Sequence, residues 1–245
     1  MELKHSRTGF FGKLASHGDF VSRRLSPAFV RQWDDWLQAG LVTSRDQLGQ
    51  QWLDAYLCSP VWHFALAAGV CGEIAWSGVL MPSVDRVGRH FPLTIAYGGP
   101  SVRVDQRLRC DAAWYTEVEK LALSSLQNGF SLALFDAALS ALPQPSPPPV
   151  DTLCAQPGIG APPLWLERPA DEPMDHAISH WLSLLERVLS GRPWAGHSLF
   201  WTEGSAQQPP TLSLSRGLPS AQTLVDMLAG RGQGQTVTDS CVAAP

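Results

Sequence analysis

Residues 76–97 read WSGVLMPSVDRVGRHFPLTIAY, two apolar arms around a charged centre. The first arm, Gly78-Val79-Leu80-Met81, is short, β-prone and closed by Pro82. The second runs from Phe91 to Tyr97 and is closed by Gly98-Gly99-Pro100. Apolar runs of this length, bounded by Gly and Pro and rich in Val, Ile and aromatics, predict strands of a covered sheet. The connection Ser83-Val84-Asp85-Arg86-Val87-Gly88-Arg89-His90 then carries an acid, two guanidiniums and an imidazole to one end of that sheet. No other part of the chain sets so much polar chemistry between core-like segments.

Upstream, Phe10-Phe11 begins a short strand over 10–14, and His17-Gly18-Asp19 is a turn signal. Ser26-Pro27 opens a helix, Ser as N-cap and Pro at the first helical position. Its apolar face steps through Phe29, Trp33, Leu37 and Leu41, widened by Val30 and Trp36. A second helix is expected from Ser44, with Leu48, Trp52 and Tyr56 on one stripe, stopping at Ser59-Pro60. Residues 61–66, VWHFAL, fit a further strand or one more helical turn, and the strand is the reading adopted.

Downstream, Asp111 is placed to cap a helix over 112–127, ended by Asn128-Gly129. Ser131 caps another, with Leu132, Phe135, Leu139 and Leu142 as its face and Pro143 as its stop. Residues 143–149, PQPSPPP, form a stiff, poorly packed polyproline spacer. Beyond it the sequence predicts strands over 164–166, 198–202 and 211–215, the last two as a hairpin, with helices over 175–189 and 220–229. Three short strands are marginal alone. They are therefore expected to extend the N-terminal sheet, giving one α/β domain over 1–230 with the spacer inside it and a flexible tail over 231–245. The expected fold is α/β, a central mostly antiparallel or mixed sheet with helices on both faces.

Composition narrows the function classes. Hydrophobic residues make up 44% and charged residues 16% of the 245, which is core-forming rather than disordered material. A net charge of -4 argues against a nucleic-acid binder. No stretch approaches the roughly 20 apolar residues of a spanning helix, and the N-terminus lacks a signal-peptide core, so no membrane insertion is expected. Five scattered cysteines without a Cys-x-x-Cys fit a reducing cytoplasm better than a disulfide framework or zinc site.

Several groups could carry chemistry. Ser16, His17 and Asp19 have the residue types of a hydrolytic triad, but near-neighbour side chains diverge and no Gly-x-Ser-x-Gly elbow exists. A structural turn or a binding loop is the better account, and no catalytic residue is assigned. His176 and His180 share a helix face, yet Ala177 stands where a zinc protease needs Glu, so no metal is expected. Gly158-Ile159-Gly160 and the Gly-rich run from Gly230 lack the flanking elements and Lys-Ser/Thr of a phosphate loop, so no cofactor is expected either. Asp85, Arg86 and Arg89, with Ser83 beside them, are the serious case, because Arg forks suit carboxylates and phosphates. Two readings stand side by side: an Arg pair that anchors an acidic or phosphorylated partner, or guanidiniums that hold Asp85 or Asp19 and fix the turn.

The segments GFFGKLASHGDFVSRRL (9–25), WDDWLQAGL (33–41), WLDAYLCSPVWHFAL (52–66) and GVLMPSVDRVGRHFPLTIA (78–96) closely resemble the TagF family, also called ImpM, of bacterial type VI secretion clusters. The resemblance implies a three-layer α/β fold and a cytoplasmic accessory protein that represses assembly of the secretion apparatus after translation. It implies a partner, the forkhead-associated-domain scaffold protein. Some relatives are fused to a Ser/Thr phosphatase domain, for which this chain has no room, and the family supplies no catalytic motif to carry over. The expectation is a non-enzymatic binder whose candidate surface comprises Ser16, His17, Asp19, Ser83, Asp85, Arg86 and Arg89, with oligomeric state left open. The rival is a small hydrolase working through His17, Asp19 and Arg86.

Overall fold

The computed structural model describes residues 8–100, 103–146, 164–168, 172–189 and 195–230. In chain order it contains β1 (Gly9–Gly12), β2 (Val21–Arg23), α1 (Pro27–Leu48), α2 (Trp52–Cys58), β3 (Trp62–Leu66), β4 (Ala75–Met81) and β5 (Leu93–Gly99). There follow α3 (Val104–Cys110), α4 (Ala112–Ser124), α5 (Leu132–Ala141), β6 (Leu164–Glu167), α6 (Met174–Leu189), β7 (His197–Thr202), β8 (Thr211–Arg216) and α7 (Ala221–Ala229). The strands form one sheet in the order β2-β1-β5-β4-β3-β7-β8-β6, and each of these neighbouring pairs is antiparallel. The two arms of the central stretch are β4 and β5, paired from Ala75↔Gly99 to Met81↔Leu93. The strands beyond the spacer join the same sheet where β7 pairs with β3, Phe200 opposite Phe64.

Alternation along the strands makes two cores. Val79, Met81, Leu93, Ile95 and Tyr97 face a layer built from α3, α4, α5 and α6, with Tyr115, Val118, Phe135 and Trp181 at its centre. Trp76, Leu80, Phe64 and Phe200 face the opposite layer of α1, α2 and α7, with Phe29, Trp33, Leu37, Tyr56 and Leu224 packed on them. This is the three-layer α/β arrangement. Each such large side chain taken fully out of water contributes about 1.5–3 kcal/mol. The indole N–H of Trp33 donates to Thr94 Oγ1 at 2.8 Å, so the one polar group on that stretch of β5 is satisfied from α1. Gly78 is required by close approach: a Cβ there would lie 2.0 Å from the Ile95 carbonyl and 2.8 Å from the Phe64 ring.

Several expectations change, among them the loop read after residue 14, part of which is strand β2, paired with β1. The helix opened by Ser26, whose Oγ accepts the Phe29 N–H, does not break before Ser44 but runs on to Leu48. Ser44 is buried inside it, donating to the Leu41 carbonyl at 2.8 Å and accepting the Trp52 indole N–H at 2.7 Å. The real break is Gly49, at φ +52, followed by a 3-10 turn into α2. Asp111 does not cap α4 with its side chain; an unforeseen helix, α3, precedes it, and the Asp111 carboxylate turns to Arg107 and Ser146. α4 stops at Ser124, and Ser125, Leu126 and Gln127 close the last turn with i→i−3 bonds. Finally, residues 143–146 of the spacer are docked rather than loose, and Pro145 is buried. Residues 147–149, Gly158-Ile159-Gly160 and the tail from 231 lie outside the described residues.

Candidate functional site

β1 pairs with β5, Phe11 opposite Thr94, while β5 pairs with β4. The loop after β1 and the β4–β5 connection therefore emerge at the same sheet end, although some 70 residues separate them in sequence. Asp85 is the hub. Its Oδ2 accepts Lys13 Nζ and Arg89 Nε, each at 2.7 Å, and its Oδ1 accepts the N–H groups of Val87 at 3.0 Å and Arg89 at 2.9 Å. The backbone of the connection closes around it: Asp85 N–H donates to Arg89 O, Gly88 N–H donates to Asp85 O, and Val84 bridges His90. Gly88 takes φ +85, and no atom would meet a Cβ there, so backbone conformation rather than space demands glycine. The segment is a tight loop wound on one carboxylate, not a helical turn.

The second loop is tied to the first by its main chain. The Arg86 N–H donates to His17 O at 2.9 Å, and Arg89 Nη2 donates to Gly18 O. Ser83 Oγ donates to Lys13 O at 2.7 Å. Tyr56 anchors the base from α2, its hydroxyl donating to Ser83 O and accepting the Ser83 N–H. Behind this corner, a cavity among α1, α2 and α7 is walled by Leu37, Leu41, Tyr56, Pro82, Pro92 and Leu224 and has no charged lining.

Electrostatics follow the geometry. Burial alone would raise the Asp85 carboxyl, but the Lys13, Val87 and Arg89 donors outweigh it and hold the group far below the ordinary value of 3.8. His90 is edge-on to Trp52 and Tyr56, at centroid distances of 5.6 and 5.5 Å. Burial, aided by the Arg45 charge and opposed by Asp85, lowers it from 6.5. Burial likewise pushes the Tyr56 hydroxyl up, so it remains a neutral donor to Ser83.

The seven residues singled out from sequence thus meet at one corner but divide by role. Ser83 and Asp85 are buried and hold the loops together. Arg89 keeps a largely exposed stem while its guanidinium is committed to Asp85 and Gly18. Arg86 alone is exposed with no hydrogen bond or ion pair to its guanidinium among the described residues. Its Nη2 lies 3.6 Å from where a Cβ on Gly18 would sit. Ser16 Oγ and His17 Nδ1 are 2.8 Å apart, and Asp19 Oδ1 accepts the Phe20 N–H. No carboxylate reaches His17 among the described residues, so these three do not make a triad.

Sequence reading missed Lys13, Tyr56, Phe20 and Val87. Phe20 is 44% and Val87 65% exposed. Phe20 stands on Phe11 and Phe91, at centroid distances of 5.6 and 4.8 Å, with Lys13 Nζ 5.2 Å from its ring. A lone Lys closing an apolar strand signals a buried acid partner, and Val87 amid charges signals an apolar display. Both cues were present in the sequence.

Comparison with known proteins gives the context for this corner. A family model described as the TagF N-terminal domain, type VI secretion system-associated, matches residues 9–142, and so spans both loops. A crystal structure of PA0076 from Pseudomonas aeruginosa PAO1 is 37% identical, with 97% of this chain and 100% of that chain covered and a TM-score of 0.75. A search of curated proteins finds no match. Among the described residues, no helix is long and apolar enough to cross a membrane. With the family model matching more than half its length, the chain belongs to the TagF family of type VI secretion system-associated proteins.

Proposed function

We propose that the protein is a non-enzymatic cytoplasmic regulator that represses type VI secretion assembly after translation by binding the forkhead-associated-domain scaffold protein. The observation that carries this reading is Arg86, exposed and unpaired among the described residues, next to exposed Val87 and on loops that also expose Phe20, while their other polar groups are spent on one another. Preorganised arginine and aromatic side chains on a firm base are what protein interfaces use as anchors. A hydrolase instead needs a nucleophile, a base and an orienting group converging on a substrate site. The Ser16–His17 contact supplies only the first two, on adjacent residues.

Affinity capture of the tagged chain from its native bacterium tests the proposal. The scaffold should co-purify, and capture should be lost with Arg86→Ala. Recovery of a different partner alone would overturn it. So would turnover of a generic ester, phosphoester or peptide by the wild type that disappears in Ser16→Ala and His17→Ala.

A further inference from the structure

A second built site lies on the opposite layer, where residues 142–146, LPQPS, cross α3 and α4. Leu142 leaves α5 at φ -59, ψ 137, which is polyproline II geometry, and Pro143 and Pro145 can only continue near φ of about -65°. Each residue after Leu142 is then engaged. The Trp114 indole N–H donates to the Pro143 carbonyl at 3.1 Å. The Tyr97 hydroxyl donates to Gln144 Oε1 at 3.2 Å. The Pro145 ring is buried, whereas Pro143, Gln144 and Ser146 are exposed. Ser146 is held through both main-chain groups: its carbonyl accepts Arg107 Nη1 at 2.9 Å and its N–H donates to Asp111 Oδ1 at 2.8 Å.

The clamp on Ser146 is unusual in its cost. Arg107 and Asp111 pair at 2.7 Å with side-chain exposures of 4% and 3%. A desolvated ion pair is favourable only when its remaining donors and acceptors are used. Here the peptide main chain uses one Arg107 donor and one Asp111 acceptor, whereas Arg107 Nε stays buried without a hydrogen-bond partner among the described residues. Asp111 is also withheld from the α4 cap its position predicts. Tyr97 and Trp114 stand edge to face, 6.4 Å between centroids, and each donates one hydrogen bond to the segment. Grooves that recognise proline-rich peptides are aromatic-lined; here an indole donates to a carbonyl and a proline is buried.

We propose that the groove framed by Tyr97, Arg107, Asp111 and Trp114 is a recognition site for extended proline-rich main chain, occupied in cis by residues 142–146. It reads backbone carbonyl and N–H groups plus one proline ring, so a segment of another chain with the same shape competes for it. The site is independent of the Arg86 corner.

The test uses the full-length chain, a full-length Pro143→Gly/Pro145→Gly variant, and the acetylated, amidated peptide LPQPS. The readout is the Trp114 indole N–H resonance, assigned by its loss in Trp114→Phe. The peptide should shift that resonance saturably in the strap variant, at a concentration at least tenfold lower than in wild type, where the cis segment competes. A peptide with Gly for both prolines should not. Adding Asp111→Asn should weaken the peptide at least tenfold while the other indole signals stay in place. No saturable shift in the strap variant, or equal binding of the Gly peptide, would overturn the proposal and leave a packed linker. If the strap variant does not fold, amide exchange at Ser146 in the wild-type chain decides. Peptide excess should accelerate it at least tenfold, and unchanged exchange overturns the proposal.

Discussion

Asp85 and Arg86 are neighbours in sequence and opposites in environment. One is buried under four hydrogen bonds, the other exposed with its guanidinium unpaired among the described residues. Asp85→Ala should therefore lower the melting temperature sharply by stranding Lys13, whereas Arg86→Ala should change stability by less than about 0.5 kcal/mol, as surface changes usually do. Equal melting shifts would refute that division. The pH response has a definite sign. Asp85 is depressed when folded, so its stabilisation is complete above 3.8 and is lost as pH falls from there toward the folded value. His90 is also depressed, so its contribution is present above 6.5 and is lost as pH falls below it. Melting curves from pH 8 downward, pH 8 being roughly 1.5 units above an ordinary histidine, should fall in two stages. His90→Gln should abolish the upper stage and Asp85→Asn the lower. At this scale the sequence showed which residues would meet, because Pro82 and Pro92 frame the connection. It could not show which guanidinium would be consumed, since that depends on how the connection winds around Asp85 and on where Gly18 lies.

At the level of elements, legibility tracked how local the deciding interaction is. Ser26-Pro27 announces α1 because the cap bond lies within three residues. Ser26→Ala should cost about 1 kcal/mol by denaturant melting, and no loss would mean the helix is held by packing alone. The continuation of α1 through Ser44 was hidden, because the Trp52 indole that satisfies the hydroxyl comes from the next helix. α3 was hidden for a related reason: it buries Asp105 and Arg107 alongside Val104 and Leu108, so charges break its apolar pattern. Their partners make those charges tolerable: Asp111, four residues on, and the distant Ser146 for Arg107, and Arg103, two residues back, for Asp105. Seven of the eight strands were legible, being short and punctuated by Gly or Pro; β2, Val21-Ser22-Arg23 with only Val21 buried, was not, because its pairing with β1 leaves no apolar pattern to read.

For the whole molecule, the family model ends at residue 142, yet the sheet does not. β3 would have a bare edge without β7, and the α3–α6 core would lose Trp181, Leu199, Trp201, Leu212 and Leu214. We propose that the chain is one cooperative unit across the spacer. A fragment of residues 1–142 should then aggregate or melt far below the full chain, as exposed central strands do. Cooperative folding of that fragment with unchanged stability would show two domains instead. The central claim, that the chain acts by binding through the Arg86 corner and not by catalysis, is most directly tested by calorimetric titration. Purified forkhead-associated-domain scaffold would be titrated into wild type and Arg86→Ala, with melting recorded on the same samples. The account predicts saturable binding to wild type and a loss of more than about 2 kcal/mol in the variant, the usual hot-spot threshold, at an unchanged melting temperature. Wild-type affinity in Arg86→Ala, or a variant that binds poorly only because it melts early, would contradict it.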